Sequence, residues 1–163
     1  MDSSLIHYNF FVGQGSTSVQ KFLQSLMKKG NKKTAQKILG KTIFLLQKMQ
    51  PFVSKDLIFD QALKNIQPIF EFKKARVGGM TQMIPGAKKY QKQENLAIRW
   101  VLESAREKHR KTKALKTHHY SFEYFLAQEV FSAYTNESAL KLKKLESHKL
   151  AETNRALAYQ RWW

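Results

Sequence analysis

Apolar residues recur at helical spacing in six successive segments of this 163-residue chain, and the rhythm breaks once, around a Gly-Gly pair. A period of 3.6 gives a helix one apolar face, whereas a period of two gives a strand one, so the fold must be packed helices with one short two-stranded insertion. Val19, Phe22, Leu23, Leu26 and Met27 predict a first helix from about Ser18, stopped by Gly30. Ala35, Ile38, Leu39, Ile43, Leu46 and Met49 predict a second from about Lys33 to Met49, with Pro51 beyond it. Ser54 as N-cap and Asp56 in the first turn open a third, carrying Ile58, Phe59, Ala62, Leu63 and Ile66 before Pro68.

Phe70 and Phe72 then alternate with Glu71 and Lys73, Val77-Gly78-Gly79 interrupts, and Met80 to Ile84 reads as a second strand before Pro85-Gly86. This pattern predicts a two-stranded hairpin. It is poor in apolar pairs, so it reads as an arm that adds little to a core. A fourth helix is expected from about Glu94 to Lys108, then a basic loop, and a fifth helix from about Tyr120 to Tyr134. The sixth is expected from Glu137 to about Tyr159, capped by Asn136. The fold class is therefore mostly α, a six-helix bundle with a protruding hairpin between helices 3 and 4. Residues 1–17 read as a short N-terminal extension and 18–163 as one domain, with the hairpin at about 70–88.

Lys and Arg number 29 against 12 Asp and Glu, a net charge of +17. Such an excess opposes compaction by self-repulsion and points to a polyanionic partner, nucleic acid first and an anionic membrane surface second. The charge is clustered. No acidic residue occurs from Ser3 to Lys55, which includes Lys28, Lys32 and Lys33. A second acid-free window, Phe72 to Gln93, carries Lys73, Lys74, Arg76 and Lys88. A third cluster holds Arg106, Lys108, Arg110, Lys111 and Lys113 with Glu107 as its one acid. On the sixth helix, Lys141, Lys144, His148 and Arg155 fall on one face by helical spacing, with Glu152 intruding at pairing distance from Arg155 or His148, so the strip still nets positive. Runs without counter-charges suit phosphate contacts better than a merely solvated face.

Catalytic signatures are missing. The chain has no Cys, so thiol nucleophiles, disulfides and thiolate metal sites are excluded. Gly30-Asn31-Lys32-Lys33-Thr34 lacks the glycine spacing of a phosphate-binding loop, and Gly13-Gln14-Gly15 lacks the third glycine of a dinucleotide fingerprint. His118-His119 has no nearby carboxylate to complete a metal site, and Glu123 and Glu129 read as solvated helix surface. No apolar stretch is long enough to span a bilayer, and the opening Met1-Asp2-Ser3-Ser4 does not resemble a secretory or organellar leader. No enzyme, cofactor, metal or membrane association is expected. Trp100 reads as core more readily than as a stacking platform, and Arg161-Trp162-Trp163 as a segment docked on the protein itself or on bases.

Several segments together resemble the small-subunit ribosomal protein seven family. They are Leu26-Met27, Gly30 and Lys32-Lys33-Thr34-Ala35; Phe59, Ala62-Leu63, Asn65 and Pro68; and the hairpin residues Arg76-Val77-Gly78-Gly79, Thr81 and Pro85. Leu96-Ala97-Ile98-Arg99-Trp100, Ala105-Arg106, Lys143-Lys144, His148, Ala151-Glu152, Asn154-Arg155, Ala158 and Arg161-Trp162 continue the match in order. The resemblance implies a structural, non-catalytic protein that binds the 3′ major domain of small-subunit rRNA and organises the head. It adds Arg99, Lys143 and Arg161 to the candidate rRNA contacts. It also implies that Val77, Gly78, Gly79, Met80, Thr81, Gln82, Met83 and Lys88 lie near exit-site tRNA and mRNA, with the ninth and eleventh small-subunit proteins as neighbours. The free nucleic-acid-binding regulator and the RNA-processing enzyme are the rival readings. The Lys-, Phe- and Ile-heavy composition, Arg155 and the Arg-Trp-Trp ending resemble mitochondrial members, with chloroplast or bacterial cytoplasm as the alternative.

Overall fold

The apolar spacing yields α1 (Thr17–Leu26), α2 (Lys32–Met49) and α3 (Lys55–Ile66), followed by strands β1 (Phe70–Val77) and β2 (Met80–Ala87). Helices α4 (Tyr90–Leu115), α5 (Phe122–Tyr134) and α6 (Ala139–Thr153) come next, with a 3-10 turn at Arg155–Gln160. The computed structural model describes residues 17–115 and 120–161. Within them the architecture is the expected one, mostly helical with the hairpin between α3 and α4. The extension assigned to residues 1–17 lies almost wholly outside the described residues, as do His118-His119 and Trp162-Trp163.

Helix α5 is the centre of the core. Phe125, Leu126, Ala127, Val130 and Ala133 are all buried, and α2, α3 and α4 pack around them. A helix apolar on most sides belongs inside, and its alanines let neighbouring backbones approach closely. Leu39, Ile43 and Leu46 of α2, Ile58, Phe59 and Leu63 of α3, and Ile98, Val101 and Leu102 of α4 complete the core. Helix α1 adds Val19, Phe22, Leu23 and Leu26, with the Phe22 and Phe59 rings edge to face at 5.2 Å. Asn65, at the end of α3, donates through Nδ2 to the carbonyls of Ala133 (2.9 Å) and Tyr134 (3.1 Å), which ties the ends of α3 and α5.

Element boundaries differ from the sequence-based expectation at four places, each for a local reason. Asn136 does not cap α6. It takes φ +66° and ends α5 in a Schellman turn, with Glu137 N–H donating to Ser132 C=O at 2.9 Å and Asn136 N–H to Ala133 C=O at 3.4 Å. Ser138 caps α6 instead, accepting from Leu140 N–H at 3.1 Å. Helix α4 begins at Tyr90 and runs to Leu115, so the expected basic loop is largely helix. The stretch contains no Gly or Pro, and an i,i+4 pair between Glu107 and Lys111 (2.7 Å) supports its polar end. Helix α6 stops at Thr153 rather than near Tyr159 and gives way to the 3-10 turn at Thr153-Asn154, two residues of low helix propensity.

The fourth difference is the hairpin. Gly78 (φ +57°) and Gly79 (φ +86°) form its two-residue turn, with both central residues at positive φ as a turn matched to strand twist requires. Strand β2 continues past Ile84 through Pro85 and Gly86, with Pro85 opposite Phe72. A two-stranded sheet has only edge strands, so a proline lacking N–H is tolerated there. The root is not a bare arm. Ile84 is fully buried, Pro85 and Gly86 are buried, and β2 packs on the 3-10 turn while β1 touches α6. The distal half is exposed, including Lys74, Arg76, Gly78, Gly79 and Met80.

This division predicts two opposite outcomes. Removing residues 75–82 and joining Lys74 to Met83, which face each other in the register, through an Asn-Gly turn should leave thermal unfolding nearly unchanged. Ile84→Ala should cost about 2–5 kcal/mol. Calorimetry of both variants checks this, and equal destabilisation would contradict it.

Candidate nucleic-acid interface

A row of basic residues runs along the outward side of α4. Ala97, Ile98, Val101, Leu102 and Ala105 face the core, which fixes the rotation of the whole helix. Lys92, Arg99, Arg106, Arg110 and Lys113, separated by seven, seven, four and three residues, then share one outer flank, beside the line of Leu96, Glu103 and Glu107 that stands opposite the core. Arg106 is half-buried and the other four are exposed. Lys92 joins this face only because α4 starts at Tyr90; its place could not be read without that helix boundary. A cleft between the hairpin root and α4, lined by Glu71, Lys88, Lys92, Asn95, Leu96 and Arg99, continues the surface.

Several cations singled out by the sequence are engaged within the protein. Glu129 is buried, contrary to the solvated reading, because α5 is central and its position there faces α4. Ser104 Oγ donates to its Oε2 at 3.0 Å, and Lys108 reaches its Oε1 as an ion pair. Lys108 is thus turned toward α5 and away from the Arg99–Arg106–Arg110 face. Glu123 is also largely covered, with Lys41 at 3.6 Å. Lys111 pairs with Glu107, and its hydrogen bond and charge hold that carboxyl below the usual carboxylate range. Lys88 lies 3.4 Å from Glu71 across the hairpin base.

The strip expected on α6 is divided in the same way. Lys144 Nζ donates to the carbonyl of Asn65 at 3.0 Å and lies 3.5 Å from that of Lys64. These are carbonyls at the C-terminus of α3, left without helical partners, where a cation is favoured. Burial, then the charge of Lys141, lowers the Lys144 pKa. His148 Nε2 accepts from Ile69 N–H at 3.3 Å, and Phe70 meets the imidazole edge to face at 5.4 Å. Burial and then the Lys144 charge hold His148 below its ordinary 6.5, so it serves as a neutral acceptor. Lys143 is exposed and stands 4.8 Å over the Trp100 ring, which packs against the core as expected. Arg155 leaves the α6 face because the helix ends before it. With Arg161 it borders a cavity of about 510 Å³ between the hairpin root and the 3-10 turn. The Arg161 guanidinium packs over Gly86, where a Cβ would come within 3.1 Å of Cζ.

On the hairpin, strand alternation sets Lys74 and Arg76 on one face with their cross-strand partners Met83 and Thr81. Lys73 falls on the other face, opposite Ile84, and Gln82 is half-buried there. Lys28, Lys32 and Lys33 are exposed around the turn between α1 and α2. Among the described residues no group of three or more His, Cys, Asp or Glu converges as a metal site, and no helix is long and apolar enough to cross a membrane.

Known sequences match most of this chain. Residues 7–155 match the family described as Ribosomal protein S7p/S5e. The chain belongs to that family. It is 36% identical to the small ribosomal subunit protein uS7 of a Nitratiruptor species over 148 residues, 91% of this chain and 89% of the relative. The protein of that name from Thermotoga petrophila is 35% identical over 150 residues, with 91% and 89% covered. The one from Campylobacter concisus is 34% identical over 148 residues, with the same coverage.

In this S7p/S5e chain, the contact between His148 and β1 makes a pH-dependent joint. The folded pKa lies below the unfolded value, so the fold favours the neutral imidazole. Its contribution is complete above the ordinary value of 6.5 and is lost as pH falls through the lowered one. Protection of the Ile69 amide from hydrogen exchange should therefore fall as His148 protonates, followed by NMR titration of the ring. A ring that titrates above 6.5 would contradict the assigned contact.

Proposed function

We propose that this protein binds the 3′ major domain of small-subunit rRNA and helps to organise the head of the subunit. It is a structural ribosomal protein, in keeping with its family, and no catalytic role is assigned to it. The observation that carries the RNA-binding reading is the face of α4. Arg99, Arg106 and Arg110 lie along roughly three turns of one helix, flanked by Lys92 and Lys113, on a side turned away from the buried face of α4. Arginine presents a planar fork of donors suited to phosphate oxygens, and each cation that displaces a counterion ties affinity to salt. Lys74 and Arg76 of the hairpin, Lys28, Lys32 and Lys33, and Lys141, Lys143, Arg155 and Arg161 supply further cations on other faces, as a folded RNA partner requires.

The exposed distal hairpin supports a second part of the proposal. Its turn at Gly78 and Gly79, with Met80, Thr81 and Met83 beside Lys74 and Arg76, is a slender basic projection that reaches beyond the helical body. The reading puts it near exit-site tRNA and the mRNA path, with the ninth and eleventh small-subunit proteins as neighbours. The composition and Arg155 favour a mitochondrial ribosome as its setting, while its bacterial relatives fit the bacterial alternative.

Replacing Arg99, Arg106 and Arg110 by Gln should weaken binding to transcribed 3′-domain rRNA across sequence variants. It should also reduce the slope of log affinity against log salt by about 0.9 for each lost duplex phosphate contact. Filter-binding titrations at several salt concentrations measure both. An unchanged slope would remove α4 from the interface. Ribosomes carrying the hairpin shortened between Lys74 and Met83 should assemble yet hold exit-site tRNA less well; unchanged occupancy would remove that part of the proposal.

A further inference from the structure

Helix α2 carries a second organised surface. Lys33, Lys37, Lys41, Phe44 and Lys48 follow one another at intervals of four, four, three and four residues. At 3.6 residues per turn they fall within an arc of roughly 80° and form a stripe about 22 Å long. All five are exposed, and Phe44 keeps 57% of its surface in solvent. The reverse side of the helix, with Ala35, Leu39, Ile43 and Leu46, is buried in the core, so the stripe has no freedom to turn inward. Helices α2 and α4 pack separately on α5, which makes this a surface distinct from the arginine face of α4. Lys41 lies 3.6 Å from Glu123, while among the described residues no ion pair engages Lys33, Lys37 or Lys48.

We propose that this stripe is a second RNA contact, which holds a looped or single-stranded rRNA segment with its phosphates along the lysines and one base stacked on Phe44. The inference rests on the reading of the chain as an rRNA-bound subunit protein and extends it to a new face. A basic track with an aromatic ring inside it is the combination that binds unpaired nucleic acid, because every base has a stacking face and every linkage a charge. The cations are all lysine, whose compact ammonium groups on flexible stems meet successive phosphates as point charges, while the exposed ring between them supplies the stacking surface that an acidic protein segment would leave unused. An exposed phenyl ring amid lysines contributes little to the fold and gains most from a flat apolar partner.

The test uses the full chain, transcribed 3′-domain rRNA and two variants whose changes are confined to exposed side chains, with circular dichroism as the check on folding. The Lys33→Gln, Lys37→Gln, Lys48→Gln triple variant should reduce the salt slope by about 0.7 for each lost single-strand contact. Phe44→Ala should weaken binding on the order of ten-fold with the slope unchanged, and Phe44→Trp should restore it. Chemical probing should show a loop protected by the wild type and reactive with both weakened variants. Wild-type affinity, slope and protection in the α2 variants, while the Arg99, Arg106 and Arg110 variant binds weakly, would overturn the stripe and leave the primary reading intact. Failure of the wild type itself to bind the rRNA would overturn both. Normal binding to bare rRNA with lost incorporation into subunits would overturn the RNA contact and assign the stripe to an acidic protein.

Discussion

Burial of α5 is the constraint from which the other elements take their positions. Its buried residues point in most directions around the helix axis, so α2, α3 and α4 must each cover part of it. Glu129 sharpens that requirement. A carboxylate with 2% exposure would be prohibitive if isolated, because loss of hydration costs several kcal/mol for an ion. Ser104 and Lys108, four residues apart on α4, supply its hydrogen bond and counter-charge together. That pairing, with the apolar face of Ala97, Val101 and Ala105, leaves one rotation for α4, and the arginines on its far side are presented outward as a consequence.

The fold also sorts its cations. Glu94 is buried with Ser18 Oγ at 3.0 Å and Lys21 Nζ at 2.5 Å, so a lysine of the acid-free N-terminal stretch is taken up in joining α1 to α4. Lys144 caps the end of α3 and His148 accepts a backbone N–H from the approach to β1. These residues stabilise helix ends and joints, and much of the remaining positive charge lies on the outward faces of α2 and α4 and on the distal hairpin. Engaged and outward-facing cations are thus different members of the same clusters. The hairpin is divided on the same principle, with an apolar root held by the 3-10 turn and a polar end that contributes little to stability.

Much of this was legible from local pattern. The core faces of α1 to α5 follow from residue spacing except at Met27 and Met49, which are exposed, while Ser54 is readable as a cap and Gly78-Gly79 mark the hairpin turn. Less was legible where two local readings compete. Asn136 and Ser138 both suit an N-cap, and only the path of the chain out of α5 decides that Asn136 takes the left-handed position. The true length of α4 was hidden because its ends carry no apolar periodicity. The stripe of Lys37, Lys41, Phe44 and Lys48 is not legible in the sequence, because an acid-free helix shows its stripe only when its buried face is known.

The sequence by itself determined the helical periods, the single hairpin, the charge excess and the family resemblance, since each depends on residues near one another in the chain or on composition. Only the tertiary structure decided which cations face outward. Lys108 meets Glu129 from the next helix, and Lys144 reaches carbonyls about eighty residues away in the chain. Helical spacing places a side chain on a face, but the partner on that face comes from packing, and a buried carboxylate or a row of unpaired carbonyls draws the nearest cation inward. Arg99 and Arg110 of α4 instead stay exposed, on a side of the helix turned away from its buried face.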